Sequence, residues 1–344
     1  MKNKILTFII PIYNGEKFLN KCIDSILNSG FSENDIEVLC IDDCSHDNSR
    51  NILFDYEKKY SNIRAIYLER NHKTGTVCNI GLEKAKGEYI WIIGQDDFIS
   101  ENSFSILNPI LISEKPDVLA FNYSRIDYKE NEIYSKEVFT NSSMMSGTEY
   151  IRRKYGDSFR YYFLGWEWRA VFRLNYLKEK SINFPNDVVY EDTTFLLKSI
   201  LNTNKFKAIN NILYFYRLND NSITYKNLKH KGSLVYEFSF KAGNEVLDFA
   251  NSIKLSHPDF FKILLDVANK RYFNSFSYKI VSTSLYEKKI FYNCVKLNKP
   301  DLDNAYKYLN LISRILINKN YGFYFSVLLM PFYKTIKHIK NLFN

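Results

Sequence analysis

The feature that most narrows the fold is the order of segments in residues 4–122, where short apolar runs alternate with stretches of helical period. Ile5 to Ile12 is almost unbroken in its apolar character, which suits a strand buried on both faces. Residues 16–29 then carry Phe18, Leu19, Cys22, Ile23, Ile26 and Leu27 along one helical stripe. A strand over Ile36 to Ile41 follows, then a helix to about Tyr60 that Asp47 or Ser49 would cap. Ile63 to Leu68, residues 75–86, Tyr89 to Ile93, residues 101–114 and Asp117 to Phe121 continue the alternation. Such β-α order predicts an α/β protein with a doubly wound, mostly parallel sheet. Beyond residue 122 the order changes. Residues 123–139 predict an antiparallel excursion and 147–220 a mixture of helices and short strands. The chain from 226 predicts mainly helix, as in Lys262 to Val281 and Tyr306 to Ile317.

Within that frame the strand ends are polar. Tyr89-Ile90-Trp91-Ile92-Ile93 runs into Gly94-Gln95-Asp96-Asp97. Two adjacent carboxylates against apolar surface repel each other unless a cation sits beside them. The alternative is a solvated strand end. The first strand leads to Pro11-Ile12-Tyr13-Asn14, the second to Asp42-Asp43-Cys44-Ser45, and the third to Glu69-Arg70-Asn71-His72-Lys73. In a parallel sheet all four loops lie on the carboxyl edge, where open α/β sheets bind ligands. A carboxylate there can accept from a base N–H or a ribose hydroxyl, an aromatic ring can stack on a base, and a metal can hold phosphates. Asp42 and Asp43 could equally begin a turn.

These segments resemble the family 2 glycosyltransferases of the GT-A fold. The matching stretches are Phe8 to Asn14, Ile41 to Ser49, Asn79-Ile80-Gly81-Leu82, and Gly87-Glu88-Tyr89-Ile90 leading into Asp96-Asp97. Trp168 to Arg173 and Val189-Tyr190-Glu191-Asp192-Thr193 complete the series, and the resemblance spans residues 4–224. It implies a nucleotide-sugar half over 1–122 and an acceptor and catalytic-base half over 123–225; the helical basic region over 226–344 lies beyond it. It implies that Pro11, Tyr13 and Asp43 hold the base, usually uracil, and that Asp96 meets the ribose or the metal's shell. Asp97 would ligate Mn2+ or Mg2+ on the diphosphate; hard cations prefer such oxygens. Asp192 would be the general base of an inverting transfer. Glu191 would orient the acceptor, and Trp166 and Trp168 would form a platform for its sugar. The same acids could instead complement a helix N-terminus, and the two tryptophans could be core. Arg217 would reach the diphosphate or lie on the surface.

Three positions depart from the family's habit. Gly94 stands where an acid is common, Cys78 where an arginine precedes Asn-x-Gly, and Ala170 follows the second-domain tryptophan where many relatives carry lysine. They motivate a rival reading, a nucleotide- or sugar-binding protein that has lost turnover. A nucleotidyltransferase lacks support, because no glycine- and lysine-rich loop follows the first strand.

Charge and cysteines bound the setting. Residues 1–220 hold 28 basic and 30 acidic residues, and residues 221–344 hold 19 and 8, so the excess of +9 lies in the last third. No nucleic-acid motif is visible there, which favours an anionic membrane surface as partner. Tyr321 to Tyr333 is nearly all apolar and is followed by Lys334, Lys337 and Lys340. A run this short does not span a bilayer; it suits the interface or packing on its own domain. Five cysteines without a Cys-x-x-Cys pair predict reduced thiols. The expected setting is the cytoplasm, at the inner face of the membrane. The expected acceptor is a saccharide or lipid-linked saccharide of a capsule, O-antigen or similar surface glycan.

Overall fold

The computed structural model describes residues 4–127, 129–136, 139–155, 167–186, 191–219 and 233–255, with single positions between 257 and 268. The chain forms two compact units, Met1–Asn186 with Glu191–Ser222, and Asp187–Tyr190 with Ile223–Asn344.

In the first unit β1 (Lys4–Ile12), β2 (Ile36–Asp42), β3 (Ile63–Tyr67) and β4 (Gly87–Ile92) alternate with α1 (Leu19–Leu27), α2 (Ser49–Lys59) and α3 (Thr74–Lys84). There follow β5 (Phe98–Ile99), α4 (Ser103–Ser113), β6 (Val118–Ile126), β7 (Glu132–Lys136) and α5 (Gly147–Tyr155). A 3-10 turn (Glu167–Arg169) leads to β8 (Ala170–Arg173), α6 (Leu174–Glu179), α7 (Glu191–Leu201) and β9 (Phe206–Arg217). One sheet of order β3-β2-β1-β4-β8-β6-β9-β5 results, with β7 paired to β6. Strands β3, β2, β1 and β4 are parallel, with Ile12 opposite Asp42 and Ile9 opposite Ile92. The expected loops therefore do share one edge.

The far half of the sheet is mixed. β8 runs antiparallel to both β4 and β6, and β9 runs parallel to β6. Two expectations need correcting here. β6 continues past Phe121 to Ile126, and β9 is a strand of 12 residues where short ones were expected. Asn122 reads as a polar break in the sequence. Its side chain is instead buried, donating to Phe139 O at 2.8 Å and Asn210 O at 3.0 Å while accepting the Phe139 N–H. A buried amide satisfied in this way does not end a strand.

The core sits where β1, β4 and β6 meet α1 and α4. Trp91 packs between Phe8 and Phe121, with ring centroids 5.6 and 4.9 Å apart, and all three are fully buried. Each such ring contributes roughly 1.5–3 kcal/mol through burial. α1 buries Leu19, Cys22, Ile23 and Ile26, the stripe expected from its period, but begins at Leu19. α3 approaches β1 through Gly81, where a Cβ would lie 2.5 Å from Ile9 Cγ2. That contact lets α3 lie close against the sheet.

In the second unit α8 (Ser233–Ile253) buries Ala242, Val246, Leu247, Phe249, Ala250 and Ile253. The expected helices at 262–281 and 306–317 and the tail at 321–340 lie outside the described residues. No described helix is long and apolar enough to cross a membrane.

Candidate active site

Hydrogen bonds join the strand-end loops into one surface. At the end of β1, Asn14 takes a φ of 52° and Gly15 follows it. Asn14 N–H donates to Ser45 Oγ at 2.9 Å and Gly15 N–H to Ser49 Oγ at 2.8 Å. His46 N–H returns a bond to Asn14 Oδ1 at 2.8 Å. Tyr13 N–H donates to Gln95 Oε1 at 2.8 Å, and Gln95 Nε2 donates back to Tyr13 O at 3.0 Å. The first and fourth loops are thus locked by a reciprocal amide pair. The Tyr13 ring stays 42% exposed, open for stacking.

The paired acids after β2 divide into two tasks. Asp42 is fully buried, accepting Arg50 Nε at 2.6 Å and the Ser45 N–H, and forms the turn. Asp43 N–H bonds Ile12 O at 2.7 Å, and its carboxylate reaches the third loop. Oδ1 accepts the His72 N–H at 2.8 Å and His72 Nδ1 at 3.2 Å; Oδ2 accepts Asn71 Nδ2 at 3.1 Å. A carboxylate offers about four acceptor directions, so Asp43 retains one for a ligand. Pro11 is half-buried in β1 opposite Ile41. The helix after β2 is capped differently from expectation: Asn48 is its N-cap residue, while Asp47 Oδ1 accepts the Ser49 N–H at 3.0 Å.

The fourth loop is a tight turn closed by the Asp97 N–H to Gly94 O bond at 3.0 Å. Its two acids face different ways. Asp97 is buried, accepting Tyr214 Oη–H on Oδ2 at 2.6 Å and the Arg217 N–H on Oδ1 at 2.8 Å. Burial, reinforced by Asp96 beside it, holds its carboxyl well above the usual carboxylate range. Asp96 is half-buried, with Oδ2 receiving Asn219 Nδ2 over a long 3.3 Å. Each Asp97 oxygen already accepts a bond that holds the turn, so this carboxylate is less open to the metal-ligand role expected of it. Asp96 fits better. Arg217 is a further correction. It is 4% exposed, bonds Asp96 O through Nε at 3.0 Å and pairs with Glu130 at 3.0 Å.

The third group of acids lies where α7 begins. Gly75 of α3 comes so near that an added Cβ would sit 2.7 Å from Pro185 O and 3.3 Å from Glu191 Cβ. Asp192 accepts the Thr193 hydroxyl at 3.3 Å, and burial pushes its carboxyl up to about 6. Glu167 is raised well above the ordinary range by burial and then by the nearby Asp192, Glu191 and Asp97. Those fields connect the base region to the turn that holds Asp96. Cys78 is buried, its thiol raised by burial and by Glu167 and Glu191; this position supplies no cation.

Trp168 does not form an acceptor platform. It is 6% exposed and stacks on Tyr214 and Tyr216, with centroids 4.3 and 5.5 Å away. Trp166 lies outside the described residues. Gln95, Glu167 and Tyr214 escaped sequence reasoning. The period-two spacing of Tyr214, Tyr216 and their strand was the signal that could have found Tyr214.

Comparison with known proteins points to one family of enzymes. Residues 7–173 match the model of Glycosyl transferase family 2. The uncharacterised glycosyltransferase EpsJ of Bacillus subtilis is 29% identical over 226 residues, covering 64% of this chain and 63% of EpsJ. Glycosyltransferase GlyG of Streptococcus pneumoniae is 27% identical over 258 residues, covering 71% of this chain and 82% of GlyG. The Staphylococcus aureus poly(ribitol-phosphate) beta-N-acetylglucosaminyltransferase TarS is 24% identical over 216 residues, 60% of this chain and 34% of TarS. The crystal structure of TarS residues 1–349 with UDP-GlcNAc superposes with a TM-score of 0.69 at 20% identity, covering 98% of this chain and 92% of that one. The likeness establishes a shared fold, the GT-A arrangement.

Proposed function

The chain belongs to glycosyl transferase family 2, and from that premise we propose that it moves a sugar from a nucleotide-sugar to a surface-glycan acceptor with inversion. The donor we assign is UDP-linked, as in the UDP-GlcNAc complex of TarS. The observation that carries the reading is the union of the strand-end loops through Tyr13–Gln95 and Asp43–His72, which sets Asp43 and Asp96 on one edge. Tyr13 stacks on the base, Asp43 accepts from a base N–H, and Asp96 faces the diphosphate.

Asp192 takes the proton. The acceptor hydroxyl oxygen forms its bond to the anomeric carbon as the bond from that carbon to the diphosphate oxygen breaks. The hydroxyl proton passes to the Asp192 carboxylate, and the nucleoside diphosphate leaves with the electron pair. One displacement with one base inverts the anomeric centre. A base with a pKa of about 6 is ionised at neutral pH, yet more basic than an ordinary aspartate. Glu191 orients the acceptor beside it.

A divalent cation, Mn2+ or Mg2+, would neutralise the leaving diphosphate, with Asp96 as its protein ligand. Among the described residues no group of three or more His, Cys, Asp or Glu could hold such an ion alone. Phosphate oxygens would therefore complete its shell. The basic tail at 321–340 would bring the enzyme to lipid-linked acceptors.

A donor screen across UDP-, GDP- and dTDP-sugars with Mn2+ tests the reading, following release of the nucleoside diphosphate. Turnover with one nucleotide class supports it. Binding of UDP without turnover, with acceptors supplied, would instead favour a lapsed binding protein.

A further inference from the structure

We infer that Tyr214 is a positioning residue for Asp96, acting through Gly94 and Asp97; the inference rests on the nucleotide-diphosphate reading above. The Tyr214 hydroxyl donates to Asp97 Oδ2 at 2.6 Å and accepts the Gly94 N–H at 3.0 Å. A phenolic hydroxyl has one proton to give and lone pairs to receive. Here both uses go to the two ends of a single four-residue turn. Asp96 lies between those ends.

The hydroxyl is itself held from behind. Its ring stacks on Trp168 at 4.3 Å and 15°, and Trp91 Nε1 donates to Trp168 O at 2.8 Å. Trp91 is fully buried between Phe8 and Phe121. A chain of packed groups thus runs from the centre of the core to the turn. Arg217 completes the grip by donating its N–H to Asp97 Oδ1 at 2.8 Å and Nε–H to Asp96 O at 3.0 Å.

This clamp matters more here because Asp96 works alone. Position 94 carries no side chain, and a Cβ there would lie 2.7 Å from Asp97 Oδ2 and 3.3 Å from Tyr214 Oη. Asp97 is turned inward. Asp96 is the one carboxylate of the turn left for the diphosphate, so an error in its aim has no second acid to absorb it. Small displacements of positioned groups are costly to function.

The experiment compares UDP with uridine on Tyr214→Phe, by calorimetry with Mn2+ present. Phenylalanine keeps the stack on Trp168 and removes both hydrogen bonds. UDP affinity should fall about tenfold, the scale of a lost bond to a charged group, while uridine affinity changes less than about twofold. Thermal melting reports folding, and Asp97→Asn provides a second variant with the same expected split. Unchanged UDP affinity overturns the inference, as does an equal loss for both ligands, which marks a merely structural tyrosine. Wild-type protein that binds neither ligand overturns the nucleotide reading itself, and this role with it.

Discussion

The two halves of the carboxyl edge treat the same residue type in opposite ways. On the β1–β2 side, Asp42 and Asp43 meet convergent donors: Arg50 and Ser45 for one, His72 and Asn71 for the other. On the β4–α7 side, burial drives the carboxyls of Asp97, Glu167 and Asp192 upward. A carboxylate crowded with N–H groups is a fixed recognition element. A carboxyl with a raised pKa and few partners can accept a proton. In the proposed mechanism the first side holds the nucleotide's base, while on the second Asp192 takes the proton and Asp96 faces the diphosphate.

The largest effect that would break this division comes from Asp192→Asn. Transfer should fall about 1000-fold or more, within the range for a lost general base, while UDP affinity stays within about twofold. The same variant should be more stable at pH 7. The folded-state pKa of about 6 lies above the ordinary 3.8, so ionisation costs more in the folded state. That penalty grows as pH rises from 3.8 to 6 and is fully present at pH 7. Asparagine removes it, with a gain of about 1 kcal/mol and about 3 kcal/mol as a ceiling. Loss of stability together with loss of UDP binding would return Asp192 to a structural role.

Gly94→Ala probes the opposite side of the turn. Its Cβ would meet Asp97 Oδ2 at 2.7 Å, against a buried carboxyl that Tyr214 and Arg217 hold in place. Overpacking of this kind costs about 1–3 kcal/mol, and UDP affinity should drop about tenfold or more. An alanine variant with wild-type melting and wild-type UDP affinity would show that the turn yields, and that its geometry is not held by β9.

Much of this was legible in the sequence because it depends on local pattern. The continuous apolar runs of β1, β2 and β4 announced strands buried on both faces, and the stripe on α1 matched its buried residues. The pairing of Asp42 with the turn and Asp43 with the third loop was half visible, since either acid could have begun the turn. What stayed hidden depends on long-range contacts. Nothing near Asp97 reveals that Tyr214 and Arg217, about 120 residues later, occupy its oxygens. Trp168 looked available because its strand neighbours Tyr214 and Tyr216 are remote in sequence. Asn122 hid a strand for the same reason, as its partners are Phe139 and Asn210.

A third test concerns pH. In the proposed mechanism ionised Asp192 is the active form, so kcat/KM should rise with pH along a limb centred at about 6 and level off above it. A limb near the ordinary aspartate value would mean that burial has not tuned the base.

The smallest expected effect sharpens the comparison most. Glu167 is the second acid of the base region, raised well above its ordinary value by burial and by Asp192. Burial of this kind favours the protonated form, and glutamine has nearly the shape and polarity of a protonated glutamate. If the proton-bearing form is the working one, Glu167→Gln should leave the limb at about 6 and kcat within about threefold. The alternative is that Glu167 is ionised and its negative field helps hold Asp192 up. In that case the glutamine variant would move the limb to lower pH, by up to about one unit for a like charge at close range. A limb that stays put identifies burial as what makes Asp192 a base; a limb that moves makes the base a property of the two acids together.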